Sequence, residues 1–416
     1  MHIRNFRLFF AGQLVSQVGN WLTMVAQTLL VLQLTGSGLD LGLLAAAQFG
    51  PLLFLGPWGG LVADRSDKRR LLFIVQVIAM LQSFALAALA FAGDPPLAAV
   101  FAVSLVGGFT VAFDNPARRA FVVEMVPMED MNNAVSLNSA LMTSSRIVGP
   151  ALAGLLVTTV GFGWAFLVDG LSYITVLAAL AMMRSAELHP APVTPRAKGQ
   201  VREGFRYIRS VRDLWVPMVM MAIIGVFAFN FQVVLPLFVT EDLGGSNAAF
   251  TVLFSILSIG SLVGALVIAR RRTISVRIVA LTAFGFGAPM LALAVVPNLF
   301  VAGVVGVALG FGSIAFLTSS SAIVQMRSDP QMRGRVLALQ GMVFLGSTPI
   351  GGPILGWFCE SFGARWGVVI GAVACFGAGA WGLAMSPAEK PQPVDRRSAD
   401  LAVEDALMEM GASPPE

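Results

Sequence analysis

Runs of about 20 apolar residues recur along this chain, and no other feature narrows its possible folds so much. A helix of that length crosses about 30 Å of hydrocarbon. Only helices and closed barrels can satisfy their backbone polar groups in that setting. Twelve such runs are read at 8–34, 41–63, 71–92, 97–121, 134–160, 164–184, 214–240, 249–269, 276–296, 298–324, 335–358 and 366–386. Composition agrees: 56% of the 416 residues are hydrophobic and only 12% charged, with a mean hydropathy of +0.80. Soluble domains carry charge on roughly a quarter of their residues. The reading is an all-α, multi-pass membrane protein. Its first run is too long for a secretory leader and has no small-residue cleavage pattern behind it.

Charge supplies the orientation. If the spans are right, 25 of the 27 Lys and Arg fall on one side, the exceptions being Arg146 inside a span and Arg365 in a short opposite loop. The positive-inside rule makes that side the cytoplasm. Both termini are then expected there, in a cell inner membrane, which fits an even number of spans. The opposite loops, such as "TGSGLD", "AGDPP" and "TEDLGGSN", are short and acidic. The net charge of +4 therefore reflects asymmetry across a bilayer, and no nucleic-acid partner is expected.

The two halves repeat one another. "RIVGPALAGLLVTTVG" at 146–161 aligns with "TPIGGPILGWFCESFG" at 348–363, matching Gly149 with Gly351, Gly154 with Gly356 and Gly161 with Gly363. "MNNAV" at 131–135 likewise aligns with "MRGRV" at 332–336. Repeats of this kind mark secondary transporters, in which two bundles rock about a central site. The expected organisation is a six-helix bundle at 1–184, a linker at 185–212 carrying a short helix on the membrane surface, a second bundle at 213–388, and a flexible tail at 389–416. In the linker, Val201, Phe205, Ile208 and Trp215 share one face, with Arg202, Arg206 and Arg209 elsewhere.

Between the second and third runs lies "GGLVADRSDKRR". It resembles the signature loop of the major facilitator superfamily, with Gly60, Asp64, Arg65, Lys68, Arg69 and Arg70 at the matching positions and Asp67 in place of the usual glycine. "DNPARRAFVVEMVPMEDMNNAVSLNSALMTSSRIVGPALAG" and "MRGRVLALQGMVFLGSTPIGGPILG" resemble the exporter branch that contains macrolide and enterobactin exporters. The resemblance covers residues 5 to 386. It implies a twelve-helix facilitator fold in two pseudo-symmetric bundles and a gate at this loop. There Asp64 would face the positive N-terminal end of a second-half helix near Arg333–Leu337, with Arg118 and Arg119 in the same group. The basic residues would anchor the loop at the anionic leaflet. The alternative is a charged turn without a gating role. The equivalent loop "ARRRTIS" lacks the acid, so only the first-half latch carries over.

Charges and polar groups inside the spans supply the remaining candidates. Asp114 and Arg118 are four apart and can pair along one helix face, either as a structural pair or in proton transfer. Arg146, near mid-span, costs several kcal/mol unless paired or wet; it is read either as a cavity charge serving substrate or proton coupling, or as a stitch to backbone carbonyls freed around Gly149 and Pro150. Asp169 is the other deep ionisable group, read either as a proton carrier or as a hydrogen-bonded residue near the outer mouth. Gly149 and Pro150 predict a bend, and Gly154 close packing. They resemble the Gly-Pro-x-x-Gly-Gly signature of the superfamily's antiporters, with Ala153 departing from it. A polar stripe of Gln13, Gln17, Asn20 and Gln27, with Met24 between, should face the bundle interior. Phe109, Phe113, Phe227, Asn230 and Phe311 join Gln17, Asn20 and Met24 as candidate cavity lining, suited to a bulky amphipathic ligand.

Other chemistry is missing from the sequence. It contains no P-loop, HExxH or GxSxG motif; His2 and His189 are peripheral; and Cys359 and Cys375 lie in different spans. No metal, cofactor or enzymatic activity is expected. Taken with the resemblance, this points to a monomeric secondary transporter exporting an amphipathic compound, drug-like or siderophore, in exchange for protons. The alternatives are translocation of a lysophospholipid or other lipid, and a transporter-like sensor.

Overall fold

A computed structural model describes residues 3–188, 200–271, 273–329 and 331–386. Among them are twelve helical stretches long and apolar enough to cross a membrane. The first six are α1 (Arg4–Thr35), α2 (Gly38–Arg65), α3 (Lys68–Phe91), α4 (Leu97–Met125), α5 (Met131–Thr159) and α6 (Phe162–Met182). A short helix, α7 (Gln200–Ser210), precedes α8 (Arg212–Phe227) and α9 (Phe231–Leu237). The last five are α10 (Asn247–Ala269), α11 (Val276–Ala294), α12 (Leu299–Arg327), α13 (Arg333–Phe362) and α14 (Ala364–Ala384). Four of the helices start on side-chain caps. Ser37, Asp67, Ser246 and Asn298 each accept a backbone N–H three residues on with their side-chain oxygens, satisfying donors that would otherwise be orphaned at a helix end.

The internal repeat of the sequence has a counterpart in the packing. In the first half α2 packs on α4, α3 on α6, and α1 on α5 and α6. In the second half α10 packs on α12, α11 on α14, and α8 on α13 and α14. Two further pairs, α2 with α13 and α5 with α10, cross between the halves and are exchanged by the same correspondence. Small residues make these crossings possible. A Cβ on Gly38 would strike the backbone carbonyl of Gly356, and one on Gly42 would strike Gly352 and Pro353. Close approach of this sort is how helices associate where lipid removes any hydrophobic drive between them.

The seventh span is interrupted. α8 stops at Phe227, and the chain restarts as α9 at Phe231 before a final π-helical turn, Phe238–Asp242. The amide of Asn230 covers carbonyls left free at the break, donating to Val226 O at 2.7 Å and to Gly225 O at 3.4 Å.

α7 docks on the second half. Ile208 is fully buried in a cluster with Leu214, Met218, Val324, Val336 and Leu339. Glu203 pairs with Arg335 at 2.8 Å, and the Tyr207 hydroxyl accepts the N–H of Asp329 at 3.0 Å. Phe205, grouped with Ile208 in the sequence reading, is 42% exposed beside exposed Arg202, Arg206 and Arg209. The buried face is thus the Gly204–Ile208 edge, because the first turns of α13 cover it. The tail from 387 and the stretch 189–199 lie outside the described residues.

Exposed aromatics mark the end opposite the basic loops. Phe91, Trp164, Phe300, Trp357, Phe362 and Trp366 are all at least half exposed there, the distribution expected of side chains at a membrane–water interface.

Candidate functional site

The first half carries a partly open cavity of about 220 Å³. Its wall is polar: Gln17, Asn20, Thr23 and Gln27 from α1, Gln48 from α2, Gln76 and Gln82 from α3, and Asp114, Asn115 and Arg118 from α4. Trp21, Met24, Met142 and Tyr173 supply larger surfaces. Amides inside a bilayer must find partners, and several do so across the cavity. Gln48 donates to Gln27. Gln17 donates to the Met142 sulfur at 2.9 Å, and Gln232 of α9 donates to that of Met24. Gln17, Asn20 and Met24, three of the candidate lining residues, therefore stand together on one wall.

The aromatic candidates do not join them. Phe109 is 42% exposed, the backbone of Phe113 passes Gly59 of α2, and neither is among the residues that line this space. Phe227 and Asn230 sit in the second half, where the Asn230 amide is spent on the helix break. Phe311 is 36% exposed, with its backbone against Gly264. An aromatic in a membrane helix is equally at home facing lipid or core, so its spacing along the chain does not reveal which side it takes.

The charged centre of the cavity wall is the pair Asp114–Arg118, one turn apart on α4 and buried. Gln76 donates to the other carboxylate oxygen at 2.7 Å. Arg118 uses only one edge of its guanidinium: Nε and Nη1 are buried without a partner, as is Oε1 of Gln76. Such a cluster has spare hydrogen-bonding capacity beside a polar cavity and can exchange partners. Asp169 is elsewhere, behind Thr23. It is fully buried, and its carboxylate accepts from Thr23 and Ser83 at 2.7 Å each and from Ser172 at 3.4 Å. It is enclosed between α1, α3 and α6, with the hydrogen-bond partners that the second of its two readings expects.

Arg146 stands apart from both acids. Its guanidinium lies 5.6 Å from the centre of the Trp21 ring, and its Nε is buried without a partner. α5 is continuous through Gly149 and Pro150. Gly149 abuts Trp21 and Val18 of α1, and Gly154 abuts Thr251 of α10, so both glycines appear as points of close approach along an unbroken helix.

The loop between α2 and α3 is bound mainly to protein. Asp67 caps α3. Lys68 pairs with Glu124 at 2.7 Å, both nearly buried. Arg69 closes the end of α6, donating to Leu180 O at 2.7 Å, Ala181 O at 3.1 Å and Ser185 Oγ at 2.6 Å. That corrects the expectation of a leaflet anchor for Lys68 and Arg69, since buried acid and free helix-end carbonyls outcompete lipid headgroups. Arg65, Arg70 and Arg119 remain exposed, and Gly60 is half-buried in α2. The backbone of Asp64 lies in the last turn of α2, but its side chain is outside the described residues. Sequence reasoning overlooked Gln76, Gln48, Thr23, Ser83 and Glu124, although a glutamine in "FIVQVIAMLQSFA" carries the same signal as those of the first span.

Comparison with known proteins places this arrangement in context. The profile of the family described as transmembrane secretion effector matches residues 1–405. The staphyloferrin A transporter of Staphylococcus aureus is 23% identical over 82% of this chain and 87% of its own length. Macrolide efflux protein A of Streptococcus pyogenes is 23% identical over 86% and 90%. The multidrug efflux pump Tap of Mycolicibacterium fortuitum is 27% identical over 86% and 89%. Among solved structures, a D-xylose–proton symporter superposes with a TM-score of 0.75 at 14% identity, covering 92% of this chain and 98% of its own. A bacterial homologue of the human lysosomal transporter Spinster, inward-facing and occupied, gives 0.72 at 13%, covering 91% and 96%. Those two likenesses concern the fold.

Proposed function

The chain belongs to the transmembrane secretion effector family of the major facilitator superfamily and is a multi-pass membrane transporter, and on that premise we propose that it exports an amphipathic small molecule by alternating access, driven by protons. The observation that carries this reading is the cavity lined by amides and by Asp114–Arg118 within a twelve-span body. Its polar wall suits a ligand with both polar and apolar surfaces, and the relatives named above include drug efflux proteins and a siderophore transporter. In this reading the bundles 1–184 and 213–388 rock against each other, with both termini on the cytoplasmic side of the inner membrane and a monomer as the working unit. The α2–α3 loop, with Asp64 and the Lys68–Glu124 pair, steadies the cytoplasmic side. Asp114 carries the exchangeable proton: when it is neutral, Arg118 is released to other partners. Asp169 and Arg146 serve respectively as an internal brace and a charge beside the ligand.

The test is purified protein in proteoliposomes with an imposed pH gradient and a fluorescent amphiphile such as ethidium. Gradient-dependent movement that Asp114→Asn abolishes, with folding intact, is the expected result. Movement unaffected by the gradient would overturn proton coupling, and an unaltered rate in Asp114→Asn would overturn the role of that residue.

A further inference from the structure

We propose that Arg146 and Trp21 together form a subsite for the anionic, planar end of a ligand, so that the transported compound carries a carboxylate or similar acid next to an aromatic ring. The inference rests on the transport reading above and names the substrate class. The starting point is a charge without an answer. Arg146 lies about 20 Å from either end of α5 at 1.5 Å per residue, where an unpaired guanidinium is costly. Among the described residues it makes no ion pair and no hydrogen bond; its Nε is buried, the residue as a whole is partly exposed, and its guanidinium lies over the Trp21 ring.

The acids that could neutralise it are already committed. Asp114 is held by Arg118 and Gln76, Asp169 by three hydroxyls, and Glu124 by Lys68. A bracing role for Arg146, tying up carbonyls freed near Pro150, would leave guanidinium-to-carbonyl hydrogen bonds, and none is present among the described residues. A ring face attracts a cation less strongly than a paired anion does, so the guanidinium can still take an anion.

Position links the pair to the cavity. Gln17 and Met142 meet on the cavity wall. Trp21 and Arg146 follow one turn later on the same two helices, which run in parallel. Trp21 itself lines the cavity, and its ring also meets Phe254 of α10 at 6.4 Å between centroids. The subsite thus lies where the two halves touch, directly beyond the cavity wall. A flat ring can stack there while an acid group receives the planar fork of arginine, a geometry that lysine lacks.

Binding to the full-length protein in detergent tests this without any gradient. The probe is 1-naphthoate, compared by calorimetry with 1-naphthamide, which has the same rings but no charge. The wild type should bind the acid about tenfold more tightly, the discrimination expected of a charge-assisted hydrogen bond. Arg146→Gln should erase the preference, and Arg146→Lys should keep part of it. Trp21→Leu should weaken both probes while the acid still binds better. Equal affinity of wild type for acid and amide overturns the subsite and needs no variant to fold. Preference retained in Arg146→Gln overturns it as well. A flat preference alongside working export defeats the subsite alone, whereas an intact preference without export in proteoliposomes defeats the transport reading and leaves the subsite standing.

Discussion

Removing the Glu360 carboxylate should loosen the contact between the halves at the end opposite the basic loops. Glu360 ends α13, and its Oε2 accepts from Ser37 Oγ at 2.8 Å and from the N–H of Leu39 at 3.0 Å. Ser37 is the N-cap of α2, so an anion from one half sits on the positive end of a helix from the other. A charge-assisted hydrogen bond contributes about 1.5–3 kcal/mol when sheltered, and a helix-end charge about 0.3–1 kcal/mol. Glu360 is exposed, and exposed ionic contacts keep only a fraction of such values. We take about 1 kcal/mol for Glu360→Ala, roughly a fivefold shift toward separated ends. Glu360→Gln retains an acceptor and should give about half that energy. Spin labels on Cys at positions 94 and 297, one exposed loop in each half, would report the distance distribution by double electron–electron resonance. A longer component growing from wild type to Gln to Ala is expected. Superimposable distributions for wild type and Ala would show that the neighbouring glycine contacts hold this end without help from the carboxylate.

Three further outcomes are open to measurement. Asp169→Ala orphans the hydroxyls of Thr23, Ser83 and Ser172 between packed helices and should cost about 3–5 kcal/mol; a melting midpoint in detergent equal to wild type would contradict the brace. The losses from Lys68→Ala and Glu124→Ala should sum to more than the loss in the double variant, with a coupling of about 1–3 kcal/mol for a nearly buried pair, and additive losses would reject it. Cysteines at positions 94 and 244 should react with an impermeant thiol reagent from outside the cell, and those at 70 and 206 only after permeabilisation. The native Cys359 and Cys375 are buried and contribute little background, and reversal at any of the four sites would overturn the proposed orientation.

The spans were legible because length against bilayer thickness is a one-dimensional property. The run read as 134–160 is α5 at Met131–Thr159, and that read as 366–386 is α14 at Ala364–Ala384. The interruption of the seventh span was not legible, since neither glycine nor proline marks 228–230 and the break exists only through its tertiary setting. Cavity residues divided by chemistry. An amide in hydrocarbon has one tolerable direction, inward, so Gln17 and Asn20 could be placed on the cavity side from spacing alone. Phe109 and Phe311 had two tolerable directions, because lipid is as apolar as the core. Charge counting groups Lys68 and Arg69 with the other basic loops, but it could not name their partners: Glu124 and the end of α6 are far away in sequence.

The two cations that broke the charge pattern separate a structural exception from a functional one. Arg365, in the short loop opposite the basic side, is fully employed. It donates to Ala294 O at 2.9 Å and Val296 O at 3.1 Å, faces Asp242 at 3.6 Å, and lies over the Phe238 ring at 5.9 Å. It ties the start of α14 to the ends of α11 and of the seventh span, so its departure from the positive-inside pattern is balanced within the fold. Arg146 lies over one aromatic ring and has no hydrogen bond or ion pair among the described residues. Arg146 is partly exposed, and a guanidinium held in mid-span without a counter-charge is costly, a cost that an anion placed beside it would offset. A brace would have been satisfied, as Arg365 is. The unsatisfied arginine, set against a tryptophan where the two halves meet, is therefore the residue whose partner is most reasonably sought outside the chain.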